Sequence, residues 1–394
     1  MKKILICAGG LALSCGLAAS AFAGAIDNKT NWSAEYIRTL NRNAATDFAD
    51  IAAYNPAGTV KLHKGFTVNG SVQYLAKDYK NVINGTDFES DEPSFIPGIF
   101  GVYNTGKWAL FAVFSNYGGG GKVDYSDGNF RTLAAGAKSL EAESHYLGYS
   151  FGGAFSINEM ISVSVAARYI DALKNLKVVV PISATATTQV EYDDEADGWG
   201  AVFGVNIAPN EMLNIGIRYE TQTDLGFKTK VKKDDFTLLP GFGVIDGQKV
   251  NRNLPSLLGL GASYHISPQL RAEANLTYYF NQDADWGGAE DLFNTGYDVG
   301  ITLEYRFNDK LLGSIGYLYT ELGADPENML PENPELNANT LGAGVAYSFS
   351  EKLHGNFSIG NSFYLSDDFK PNAVTKVEYE KNIFFLALGV EYRF

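Results

Sequence analysis

From Gly65 to the last residue, apolar and polar positions alternate with a period of two, as in a β-strand with two unlike faces. In "ISVSVAARYI", Ile161, Val163, Val165, Ala167 and Tyr169 alternate with Ser162, Ser164, Ala166 and Arg168. "GITLEYRF" sets Ile301, Leu303, Tyr305 and Phe307 against Thr302, Glu304 and Arg306. The C-terminus sets Leu386, Leu388, Val390, Tyr392 and Phe394 against Ala387, Gly389, Glu391 and Arg393. In a soluble sandwich the apolar face would be the core. In a membrane barrel it would meet lipid, and the polar face would line the lumen. Alternation fits both, so strand and connection lengths decide.

The alternation predicts strands over 65–80, 94–104, 107–124, 141–157, 159–175, 190–208 and 211–229. It continues over 254–266, 268–281, 296–308, 310–322, 336–349, 352–366 and 376–394, fourteen in all. Most are far longer than the ~5–6 residues of a soluble strand. "NTGK", "INEM", "APNE", "ISPQ", "FNDK" and "FSEK" read as tight hairpin turns. Between them lie longer loops near 81–93, 125–140, 176–189, 230–253, 282–295, 323–335 and 367–375. An even strand count with short turns on one side and long loops on the other is the signature of an outer-membrane barrel. The expected fold is therefore all-β: a fourteen-stranded antiparallel transmembrane barrel whose ends both lie on the periplasmic side. "LALGVEYRF", with its terminal aromatic, resembles the last strand read by outer-membrane assembly machinery.

Composition supports this. Aromatics make up 13% of the chain, with 42 Gly and only 12 Pro. Beyond the N-terminus, no apolar run approaches the ~20 residues of a membrane helix. A closed barrel is the other way across. Lys2 and Lys3, an apolar run over 4–17, and Ala21-Phe22-Ala23 read as a signal peptide, residues 1–23. A lipoprotein signal ending at Cys15 fits less well, because Ala12-Leu13-Ser14 is a poor lipobox. Cleavage after Ala23 removes both cysteines, Cys7 and Cys15. The mature chain then has no disulfide, thiol nucleophile or thiolate metal site. It also changes the net charge from −14 to −16 by removing two lysines, and such a surface repels nucleic acid.

Residues 24–64 lack the alternation and are Asn- and Ala-rich, with one short helix expected around 33–42. Ahead of a barrel over 65–394, they read as a disordered arm or a plug (hatch) in the lumen. The Asn28-Lys29-Thr30 sequon is attributed to chance.

Three segments carry a family resemblance. Asn55-Pro56-Ala57-Gly58 stands just before the first strand. "FSNYGGGGKVDY" ends the third strand, and "NRNLPSLLGLGASYHISPQLRAEANLTYYF" spans Asn251–Phe280. Together they resemble the FadL-type long-chain fatty-acid transporters, a family that includes aromatic-hydrocarbon channels. The resemblance implies a plugged barrel of fourteen strands and passive transport of a hydrophobic small molecule. It makes Asn55, Pro56, Ala57 and Gly58 a gate at the plug tip; a plain turn predicts the same residues. It places a lateral opening in the third strand, at Ser115, Asn116, Tyr117, Gly118, Gly119, Gly120 and Gly121. It puts an apolar binding groove on two extracellular loops. Here these offer Val178, Val179, Val180 and Ile182, then Phe236, Leu238, Leu239, Phe242 and Ile245. Apolar clusters of this kind imply a ligand or a self-packed lid. Lys230, Lys232 and Lys233 would attract a carboxylate or form a solvated charge run.

Other signals carry less. "DDEADG" begins like a calcium loop, but Gly204 stands where the bidentate Glu belongs. "GGGGK" lacks the spacing and the following Ser or Thr of a phosphate loop. His63, His145, His265 and His354 show no metal-ligand spacing, and no catalytic signature stands out. The expectation is a monomeric, cofactor-free, non-enzymatic transporter whose partners are its ligand, outer-membrane lipid and lipopolysaccharide. An aqueous porin and an adhesin or structural barrel are the alternatives. Arg168, Arg218, Glu220, Arg271, Glu273, Glu304, Arg306, Glu391 and Arg393 should form a charge network in the lumen, paired with the plug.

Overall fold

The computed structural model describes residues 30–394; the expected signal peptide and residues 24–29 lie outside the described residues. Alternation produces long strands: β1 (Gly65–Ile83), β2 (Thr86–Ser90), β3 (Ser94–Asn104), β4 (Trp108–Tyr125), β5 (Ser139–Ser156), β6 (Ile161–Pro181) and β7 (Thr187–Ile207). Then come β8 (Leu213–Glu220), β9 (Gly226–Asp234), β10 (Lys249–Asn251), β11 (Leu257–His265), β12 (Leu270–Tyr279) and β13 (Gly296–Arg306). The last are β14 (Leu311–Glu321), β15 (Ala338–Ser348), β16 (Leu353–Tyr364), β17 (Asp367–Asn372) and β18 (Thr375–Arg393). All pair antiparallel in one closed sheet, with β1 joined both to β3 and to β18. Fourteen wall segments result, counting β8 with β9 as one; β2, β10 and β17 extend the loop end.

The faces divide as the alternation requires. Val165, Phe203, Ile301 and Leu388 point outward and are exposed, whereas Ser162, Arg168, Arg218 and Glu391 are buried inside. Near the tight turns, aromatics two residues apart meet edge to face: Tyr305 with Phe307, Tyr347 with Phe349, and Tyr392 with Phe394. Such rings form the girdle of a membrane barrel.

Two expectations need correction. The strand expected over 211–229 is interrupted between Glu220 and Gly226. Its partner β7 has glycines there: a Cβ on Gly198 would lie 2.2 Å from the Asp224 carbonyl oxygen. The connector presses inward into that space, and Thr223 bridges to Leu254. Several expected loops are also largely strand. The β1–β2 and β6–β7 hairpins continue to Ile83 and Pro181, beyond the apolar belt, where neither face needs to be apolar.

The segment before β1 fills the lumen. Ser33 caps helix α1 (Ala34–Thr39), accepting from the Tyr36 N–H at 3.0 Å, and Leu40 ends it at φ 55°. Helix α2 (Ile51–Tyr54) and a 3₁₀ turn (Pro56–Lys61) follow, and nearly every side chain is buried. Wall glycines admit the plug backbone: a Cβ on Gly216 would lie 1.9 Å from the Asn43 carbonyl, and on Gly342 2.1 Å from that of Ile37. The expected charge network is present. Arg38 and Arg271 both pair with Glu304, Arg271 also with Glu273, and Arg168 and Arg218 with Glu220. Glu391 pairs with Arg393 at 2.8 Å and accepts from the Ala49 N–H at 2.7 Å. Arg306 stays outside the network, exposed at the periplasmic mouth.

Within the plug, Arg42 holds Asp47 at 2.7 Å and Asp50 at 2.5 Å. Burial opposes ionisation of Asp47, but Arg42, Arg271 and Arg38 win and hold its carboxyl low. Glu35 goes the other way: burial, then Asp50, pushes it up to about 8. One Glu35 oxygen accepts from Asn69 at 2.6 Å and Asn356 at 2.8 Å, tying the plug to β1 and β16. A raised folded-state value means the docked plug binds this proton more tightly than the released plug does. Stability from Glu35 is therefore present below pH 4.5 and lost as pH rises through about 8. Thermal unfolding in detergent should fall in temperature between pH 6 and 9, and Glu35→Gln should flatten that slope.

Candidate functional site

The wall is broken beside the four glycines. The β3–β4 ladder runs from Asn104–Ala109 to Gly98–Ser115 and stops there. Pro97, next on β3, has no N–H to continue it, and the Ser115 hydroxyl donates to the Pro97 carbonyl at 3.0 Å instead. On its other edge β4 stays paired with β5, but the register slips between Asn116 and Gly118 and again before Gly121. Gly119 and Gly121 take φ of 89° and 69°, the left-handed region that favours glycine. A Cβ on Gly119 would lie 2.5 Å from the Ser144 carbonyl oxygen, and on Gly121 2.2 Å from the Ser94 hydroxyl. Tyr117 is buried, its ring centroid 4.5 Å from that of Trp32 in the plug and its hydroxyl 3.1 Å from Ser150.

One recess adjoins the bent part of β4, and a second lies next to the first, farther from the break. The outer one is apolar, with walls that include Leu140, Val178, Val180, Val190, Leu239 and Val244. Helix α3 (Phe130–Ala134), opened by an Asn129 capping box, supplies its Arg131 and Thr132. The inner one, about 80 Å³, lies against Gly120 and Gly121 and is lined by Val123, Leu176, Tyr192 and Leu330. Arg131, Leu176 and Tyr192 border both, so the recesses are neighbours. Lys174 borders the inner one, its ammonium 5.5 Å from the Tyr146 ring and 5.4 Å from Phe227. Glu143, Asp194 and Glu332 also line the inner recess, so its charges are mixed, whereas the outer recess is walled almost wholly by apolar side chains, which suits a hydrophobic molecule.

The segment 329–336 wedges into the extracellular mouth. Its carbonyls, which would otherwise be stranded in a buried loop, find side-chain donors. Asn81 donates to Pro331 O at 2.7 Å, and Lys381 donates to Pro334 O at 3.3 Å. Pro331 and Pro334 bring no N–H at all. The Arg131–Glu332 pair, 2.9 Å apart and nearly buried, ties this wedge to α3. Sequence reasoning missed both the wedge and Arg131, because loops without periodicity do not say which way they fold. The paired prolines in "MLPENPEL" were the available signal.

Of the expected groove residues, Val178, Val180 and Leu239 line the outer recess. Leu238 packs partly buried against the same core. Ile182, Phe236 and Ile245 are exposed, Val179 is half-buried, and Phe242 ends the turn Leu239–Phe242. Lys230 and Lys233 face Asp193 and Glu191 across the β7–β9 ladder, and Lys232 pairs with Asp193 at 2.7 Å. That is a compensated charge run. Asn55–Gly58 sit at the base of the plug, away from both recesses. Asn55 donates to Ala45 O and Asn206 Oδ1, and the Ser162 hydroxyl donates to Ala57 O. Among the described residues no cluster of His, Cys, Asp and Glu is arranged to hold a metal.

A lumen closed by its own N-terminal segment, with one wall ladder cut short, defines a plugged membrane β-barrel of the outer-membrane type. Its fold is that of the FadL-type transport proteins, as the sequence resemblance implied. The chain is similar to a Pseudomonas aeruginosa FadL homologue, with TM-score 0.74 at 12% identity over 94% of this chain and 100% of that one. It is similar to the Pseudomonas putida toluene transporter TodX, with TM-score 0.71 at 14% identity over 94% and 100%. The Ralstonia pickettii toluene transporter TbuX gives 0.65 at 17% identity over 91% and 98%. Residues 247–374 match a family described as "Putative MetA-pathway of phenol degradation". No curated protein sequence matches the chain.

Glu332→Ala would leave Arg131 buried without its partner, a loss of about 1–3 kcal/mol. Amides of 329–336 should then exchange faster by roughly ten-fold or more, by mass spectrometry, while those of β12–β14 stay unchanged.

Proposed function

We propose that this protein carries hydrophobic small molecules inward across a Gram-negative outer membrane by passive diffusion, as a member of the FadL-type transport family. The observation that carries the reading is the end of the β3–β4 ladder at Gly98–Ser115, with a recess against Gly120 and Gly121 and an apolar one next to that. On this reading a molecule enters between the loops at Val178, Val180 and Leu239. It passes the wedge into the recess at Gly120, and leaves sideways into the bilayer between β3 and β4. The lumen below supports a sideways exit, since buried ion pairs and the plug occupy it. Drawing an apolar molecule through desolvated charge is unfavourable, whereas the lipid is the phase it prefers. The same filling argues against an aqueous porin. The apolar walls of the outer recess suit a hydrocarbon or the apolar part of a fatty acid. Asn55–Gly58 then serve to anchor the plug.

Uptake of radiolabelled oleate and toluene by cells expressing the protein tests this. Replacing Gly118–Gly121 by valines should abolish uptake of whichever is carried while heat-modifiable, folded barrel is still recovered; unchanged uptake would exclude sideways exit. Val178→Glu with Leu239→Glu should lower uptake without opening a conductance in planar bilayers, and a large ion conductance in the unaltered protein would favour the porin.

A further inference from the structure

A strand that leaves its ladder exposes peptide groups, and each must find another partner. In the bent part of β4 the partners are side chains. The Ser144 hydroxyl accepts from the Gly120 N–H at 2.8 Å, and the Ser90 hydroxyl accepts from that of Asp124 at 2.9 Å. The carbonyls of Gly120 and Lys122 both accept from one ammonium, Lys77 Nζ, at 3.1 and 2.5 Å. Lys77 belongs to β1, not to either neighbour of β4. It is 4% exposed, and Tyr79 flanks its ammonium at 5.6 Å.

Its position on β1 explains how it reaches. The β1–β3 ladder ends at Leu75–Ser94, and the β1–β2 ladder begins at Tyr79–Ser90. Lys77 stands in the gap, level with the chain of residues 91–93 that leaves the sheet. Its stem passes behind that gap to the displaced strand, where Gly121 lets β4 come close to Ser94 at the start of β3: a Cβ there would lie 2.2 Å from the Ser94 hydroxyl. We propose that Lys77 is the positioning residue of the wall break, standing in for the missing β3 ladder and fixing β4 in its inward path. Charge-assisted bonds to two carbonyls are stronger than the neutral ones they replace. The same device recurs at the other interruption, where Arg168 Nη2 donates to the Thr221 carbonyl at 3.3 Å.

The inference rests on the sideways-exit reading for its functional meaning but is testable without it. In Lys77→Met, amides of 117–123 should exchange about ten-fold or more faster in detergent, with β12–β16 unchanged, and uptake of oleate or toluene should fall. Lys77→Arg, which keeps a cationic donor, should restore both. Unchanged exchange in Lys77→Met overturns the proposal, whatever uptake does. Faster local exchange with undiminished uptake leaves Lys77 as the support of the bend and counts against exit through it. Should Lys77→Met not assemble, Lys77→Gln, whose side chain is shorter and uncharged, should still speed exchange over 117–123, and unchanged exchange there overturns the proposal.

Discussion

Lipid offers a peptide group no hydrogen-bond partner, and that constraint shapes everything else in this protein. It explains why the chain returns on itself, so that β18 pairs with β1 from Thr67–Arg393 to Ile83–Val377 and no edge is left. It also makes the short β3–β4 ladder conspicuous. A wall can be opened only where other groups satisfy the peptides that leave it. Serine hydroxyls and Lys77 do so here, and glycines supply the backbone conformations.

The lumen follows a second rule, that buried charge must be paired. Each inward arginine of the network meets a carboxylate on the wall or in the plug. Arg38 bridges the two by pairing with Glu304 of β13. These pairs fasten the plug together with an apolar core that joins Trp32, Ile37 and Tyr54 to Phe100 and Phe111 of the wall. The outward face needs no such matching, since lipid accepts any apolar side chain. The two recesses both lie at the loop end, where apolar side chains are gathered away from lipid.

How much of this could be read beforehand depended on period. Strands with one apolar face, such as Ile161–Arg168, announce themselves, and the fourteen-strand frame and lumen charges followed from them. Segments such as Lys174–Val180 are strand as well, but their two faces do not differ in the expected way above the membrane. Their pattern therefore reads partly as loop. The break between Glu220 and Gly226 was invisible because it depends on Gly198 and Gly200 of a neighbouring strand. The glycine run was legible as a distortion. Its consequence for Lys77, some forty residues earlier, was not, since no local pattern links them. The wedge and Arg131 were missed for the same reason, while Val178, Val180 and Leu239 stood out because apolar residues in exposed loops are costly unless covered.

The plug precedes every strand in the chain, yet many of its bonds go to strands made last: Glu35 to Asn356, Ala49 to Glu391, Arg38 to Glu304. Its first-strand partner, Asn69, lies on the seam that Glu391 also borders. The plug, made before any strand, therefore cannot reach its final contacts until the final hairpin exists. Contacts of such sequence separation make folding slow. Nor can a bulky, internally bonded plug be threaded easily through a finished cylinder. Closure of the β1–β18 seam around an already lodged N-terminus is the order of assembly that this connectivity favours.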